Sequence, residues 1–109
     1  MHFVDDTAKT FIACAESRKS GARAYNIRGA VITVEGFIQA VEEVYPRFKG
    51  LIRCTSNALG IASNLAEHGL RDEIGTVPTT DLRAGIEATV RIFERLQTEG
   101  RLDLSDLDT

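Results

Sequence analysis

Tyr45 and Lys49 stand at Tyr-x-x-x-Lys spacing. One helical turn apart, a lysine ammonium lowers the pKa of a phenol and makes it a general acid or base. That chemistry needs both side chains on one face of a continuous helix. Here Pro46 follows the tyrosine, and proline inside a helix costs about 3 kcal/mol because it has no amide hydrogen and collides with the preceding turn. The pair therefore reads as a chance match, with Tyr45 at a helix end and Lys49 in the turn before Gly50.

The other reactive side chains are scattered. His2 and His68 have no partner at metal-ligand spacing and read as surface imidazoles. Cys14 and Cys54 form no C-x-x-C pair and read as buried free thiols of a reducing cytoplasm. Asp5 and Asp6 are adjacent acids open to acid/base or metal-ligating roles, but helix capping explains them more cheaply. Ser56, Ser63 and Ser105 lack the strand-turn-helix glycine context of a nucleophile elbow. The closest glycines, Gly69 and Gly75, are too far apart for the G-x-G turn that cradles a dinucleotide pyrophosphate. Nothing in the chain assembles into a catalytic set, a cofactor cradle or a metal site.

The elements that must position any site follow from periodicity. Phe3 and Val4 read as the end of a strand, then a helix from Asp6 to about Ser17, capped by Asp5 or Asp6, with Ala8, Phe11, Ile12 and Ala15 on one face. Arg23 to Ile27 reads as a strand with Tyr25 and Ile27 on one side. Thr33 is an N-cap for a helix from Val34 to about Tyr45, stopped by Pro46. Leu51 to Thr55 reads as another short strand, and Ala66 to Glu73 as a turn or two of helix. Thr80 caps a long amphipathic helix through Leu82, Ile86, Val90, Phe93 and Leu96 that ends near Gly100. Three main helices alternating with short strands give an α/β class, in an α+β-like fragment. Residues 1–100 form one lobe, and 101–109 an acidic, loosely held tail.

Composition narrows the partners. At 109 residues, with 43% hydrophobic and 27% charged residues, the chain is one small domain that folds but has little core to spare. A net charge of −3 creates no field that would draw nucleic acid or anionic lipid. There is neither a signal-peptide pattern nor an apolar run long enough to span a bilayer. The expected setting is the cytoplasm, with no nucleic-acid or membrane partner.

Four segments, taken in order, resemble the C-terminal part of extended short-chain dehydrogenases/reductases, the NAD-dependent epimerase/dehydratase family. His2-Phe3-Val4-Asp5-Asp6-Thr7-Ala8 is similar to their strand-to-helix junction. Ala24-Tyr25-Asn26-Ile27-Arg28-Gly29 is similar to their Tyr-Asn-(Ile/Val)-Gly-Gly strand, with Arg28 replacing the first glycine. Val31-Ile32-Thr33-Val34 is similar to the entry of the next helix, and the segment from Pro78 to Val90 to the closing Pro-x-Thr-x-Leu-x-x-Gly-Ile helix.

The resemblance implies a substrate-binding lobe of an extended Rossmann-type enzyme without its Gly-rich nucleotide-binding half. It implies NAD or NADP as cofactor of the complete enzyme and a nucleotide sugar as substrate, with Asn26, Arg28 and Arg53 as the substrate-contacting positions. The natural partner is then the Rossmann half, which would precede Met1 or be a separate chain. Without it the chain is expected to form a homo-oligomer through apolar faces such as Phe11, Ile12, Ile86 and Phe93. A free-standing binding or interaction module that has kept the lobe's fold is the alternative. An independent small enzyme would need a site that the residues do not supply.

Overall fold

The computed structural model describes residues 1–58, 60–62 and 64–108. Helix α1 spans Val4–Glu16, α2 Val34–Val44, α3 His68–Ile74 and α4 Leu82–Thr98, with short 3-10 turns at Pro46–Phe48 and Ser105–Asp108. Among the described residues there is no strand, so the α/β expectation is corrected to an all-helical arrangement.

The missing strands have a physical explanation. A strand is stabilised by a ladder, and each candidate here lacks a neighbour to pair with. Val4 joins α1 instead of ending a strand, and every residue from Leu51 to Thr55 is exposed without regular structure. One trace of pairing survives where Met1 and Ala30 exchange two backbone hydrogen bonds, of 2.8 and 2.9 Å. This is a single antiparallel rung, which a second would have to follow to make a sheet. Gly29 beside it has φ +62°, and a Cβ there would overlap the Met1 carbonyl oxygen. Only glycine fits this close approach.

The helices lie close to their expected positions, but two caps differ. Neither aspartate caps α1: its N-cap is Phe3, and Asp5 and Asp6 sit in its first turn, where they complement the positive end of the dipole. Thr33 caps α2 as expected, its hydroxyl oxygen accepting from the Gly36 amide at 3.0 Å. Asp81, not Thr80, caps α4, accepting from the amides of Arg83 and Ala84. The Thr80 hydroxyl is instead turned to Asp6, to which it donates. At the other end Gly100, at φ +65°, closes α4. Arg101 N donates to Leu96 O and Gly100 N to Gln97 O, which is a complete Schellman motif.

Two helix pairs hold the molecule together, α2 on α4 and α1 on α3. In the first, Ala40, Val41 and Ile86 are buried, with Phe37, Val44, Tyr45, Phe48 and Leu82 packed around them. Ile86, expected on an uncovered face, is therefore core. In α1 the buried residue is Thr10, whose hydroxyl returns to the Asp6 carbonyl at 2.8 Å. The apolar stripe read from the sequence points the other way, into solvent.

The core is small for the length. Accessible surface is 8648 Å² for 11.9 kDa, where a compact monomer of this mass shows about 6,000 Å². The radius of gyration is 17.0 Å against about 13 Å for a compact chain of this size.

Candidate functional site

A cavity of about 500 Å³ lies between the two helix pairs. Thr79 to Asp81 and the first turns of α4, with Leu82, Gly85 and Ile86, form one wall, and Phe37, Val41 and Phe48 form an apolar wall opposite. Asp6 fixes the α4 wall to α1. Its two carboxylate oxygens accept from the Thr80 amide at 2.6 Å and the Thr80 hydroxyl at 2.8 Å. The pair is thus a clasp between elements 74 residues apart in sequence.

The loop carrying residues 27–30 makes the rim. There the Glu67 carboxylate accepts from the Arg28 amide at 3.4 Å and from the Arg71 guanidinium at 2.9 Å. Arg71 is thereby neutralised by a carboxylate one turn away on its own helix. The Arg28 guanidinium is exposed and has no carboxylate partner among the described residues. It borders both this cavity and a shallower one floored by Asn64 to His68. Charged groups of both signs line the cavity: the Asp6, Glu67 and Asp81 carboxylates, the Arg28 and Arg71 guanidinium groups and the Met1 ammonium, which donates to the Ala30 carbonyl.

The three positions expected to touch substrate are not brought together equally. Arg28 is at the rim. Asn26 lines neither cavity; its amide donates at 3.4 Å to the carbonyl of Ala66, which lines the shallower one. Arg53 is exposed and lies outside the lining of either cavity.

A second polar cluster has Glu73 at its centre. Its side chain is only 8% exposed and receives hydrogen bonds from the Ser17 hydroxyl, from Tyr25 Oη at 2.7 Å and from Arg23 at 3.1 Å, with Lys19 Nζ at 3.9 Å. The bonds from Ser17 and Tyr25 hold the Glu73 carboxyl below its ordinary value against the opposing effect of burial, and the charges of Lys19 and Arg23 help. The Tyr25 phenol is pushed up, chiefly by donating to that carboxylate. It is locked as a donor, which is the reverse of what a catalytic tyrosine needs. This node ties the end of α1 and the segment at residues 17–25 to α3.

Tyr45 is part of the α2–α4 core, and its hydroxyl donates to the Glu87 carbonyl at 3.3 Å. Arg47 stacks over the rings of Tyr45 and Phe48 at 5.0 and 4.9 Å and pairs with Glu94. The Tyr-x-x-x-Lys span is broken by the 3-10 turn Pro46–Phe48, and Lys49 caps that turn. No group of three metal-ligating side chains occurs among the described residues. Ser56 and Ser105 lie outside the lining of both cavities, and Ser63 lies outside the described residues.

Sequence reasoning missed Glu67, Arg71, Glu73 and the Asp6–Thr80 clasp. Glu67 and Arg71 did leave a signal, since Glu four residues before Arg is favourable helix spacing. Glu73 left none, because its partners lie 48 to 56 residues away. Comparison with family models, with curated proteins and with solved structures finds no match for the chain. No helix among the described residues is long and apolar enough to cross a membrane.

Proposed function

We propose that the chain is the substrate-binding lobe of an NAD(P)-dependent epimerase/dehydratase-like oxidoreductase acting on nucleotide sugars, catalytically incomplete by itself. The reading begins from the four ordered sequence segments. The observation that carries it furthest is the rim of the cavity. There the Arg28 guanidinium has no carboxylate partner among the described residues and would pair with a phosphate of such a substrate. The surplus of about 2,700 Å² of accessible surface over a compact monomer supports a lobe whose other faces meet partner surface.

The residues present do not fit the cofactor. A pyrophosphate is held at a free helix N-terminus approached by paired glycines. Here α1 carries Asp5 and Asp6 in its first turn, α2 carries Glu35, and the Asp81 carboxylate occupies the start of α4. Each acid repels the anion it would need to receive. NAD or NADP therefore belongs to the proposed nucleotide-binding half, together with the hydride chemistry, and this chain contributes substrate position. The α2–α4 core, which closes without help from another chain, favours the second reading of a free-standing binding module.

Titration calorimetry separates these readings. NAD and NADP are expected to bind no more tightly than about millimolar in the absence of a pyrophosphate cradle. UDP-glucose is expected to bind more tightly than glucose, and Arg28→Ala should remove that preference. Micromolar binding of either cofactor, or equal affinity for UDP-glucose and glucose, would overturn the proposal. Arg28→Ala should leave the circular dichroism spectrum unchanged, since its side chain supports no packing.

A further inference from the structure

Helix α1 is amphipathic the wrong way round for a self-sufficient fold. Val4, Ala8, Phe11, Ile12 and Ala15 fall on one face by helical spacing, and all five are exposed, with Val4, Phe11 and Ile12 at 68%, 67% and 58%. The face turned inward carries Thr10, with Thr7, Ala13 and Cys14 half-buried. An exposed stripe this continuous marks an interface.

We infer that this stripe pairs with the same stripe of a second copy of the chain, the two α1 helices running antiparallel about a twofold axis between Phe11 and Ile12. Charge and size select this occupant and this register. With the axis there, Phe11 meets Ile12 of the other copy, and Ala8 meets Ala15, so small side chains flank the large pair and let the backbones approach. The same arrangement brings Asp5, at the acidic start of one helix, near Arg18, which follows the extended Ser17 cap of the other. Both are exposed, and neither has an ion-pair partner among the described residues. Symmetry makes this contact twice. Antiparallel helices also place each positive dipole end beside a negative one. A parallel pair would instead bring Asp5 against Asp5.

The α4 face around Ile92 and Phe93 is a poorer candidate. The ion pairs Arg91–Glu87, Arg95–Glu99 and Arg47–Glu94 surround and interrupt it. Three large side chains and two alanines fall short of the roughly 800 Å² per partner of a tight complex, so the association is a weak one.

Sedimentation equilibrium of the full chain across a broad micromolar range, at low salt, tests the pairing without any ligand and so stands apart from the substrate reading. A monomer–dimer equilibrium is expected. Phe11→Arg should weaken it by about a hundredfold, the scale of a central anchor lost from both sides. Because a charge inserted in the stripe also alters α1 itself, a charge cycle serves as the second arm. Asp5→Arg or Arg18→Asp alone should each weaken dimerisation roughly tenfold, since two contacts turn repulsive. The double variant should restore it, because each copy then offers the opposite pair. A monomer throughout the range, a dimer indifferent to Phe11→Arg, or single and double charge variants that behave alike would each overturn the inference.

Discussion

Glu73 shows how much one carboxylate organises here. It gathers Ser17, Lys19, Arg23 and Tyr25 from a segment that has no regular structure after α1. Because its folded pKa lies below the ordinary value of 4.5, the stability it contributes is present above that value and is lost as pH falls below it, through the folded pKa. Thermal melts between neutral pH and pH 3 should therefore show a drop in midpoint beginning near pH 4.5, and Glu73→Gln should make that part of the profile shallower. A variant with the same acid slope as the parent would show that other carboxylates govern acid unfolding. Nothing in the local sequence singles out Glu73. Its partners reach it only when the segment after α1 folds back on α3.

At the scale of elements, helices were legible and strands were not. The starts of α2 and α4 are written locally in Thr33, Asp81 and the periodic apolar residues that follow, and each helix satisfies its own backbone. Arg23 to Ile27 and Leu51 to Thr55 have strand-like composition, but composition supplies no ladder partner, and among the described residues no strand forms beside them. Two glycines divide along the same line. Gly85 lies in α4, and a Cβ there would meet Phe3 at 3.7 Å, an ordinary contact. Gly85→Ala should therefore stabilise the chain by about 0.5–1 kcal/mol through helix propensity. Gly29→Ala should cost more than about 1 kcal/mol because it meets both an unsuitable φ and the Met1 carbonyl. Denaturant midpoints of the two variants should move in opposite directions; a loss of stability in Gly85→Ala would mean that the Phe3 contact is tighter than its distance implies.

For the whole molecule, the balance of surface matters more than any one contact. A chain that leaves about 2,700 Å² more exposed than a compact monomer has less to expose when it unfolds. Urea unfolding at low protein concentration should accordingly have an m-value at or below the low end of the usual range of about 1–3 kcal/mol/M. A value above about 2 kcal/mol/M would indicate a tighter solution fold than this one. The proposed oligomer and the proposed larger enzyme would each cover apolar faces that the chain's own residues leave bare.

By itself the sequence determined the three main helices and a hint of the short α3, the cap at Thr33, the glycine stop at Gly100 and the break in the helix between Tyr45 and Lys49. Each depends on residues within about a turn or two of one another, where propensity, capping and proline geometry act directly. Only the tertiary structure decided that Asp6 clasps Thr80, that Glu73 gathers a distant segment, that Ile86 is core while Phe11 and Ile12 face solvent, and that Arg28 lies at a cavity rim. Amphipathic spacing specifies that a helix has an apolar face. What that face meets depends on which other elements the chain has available to cover it, and in α1 those elements cover the opposite side.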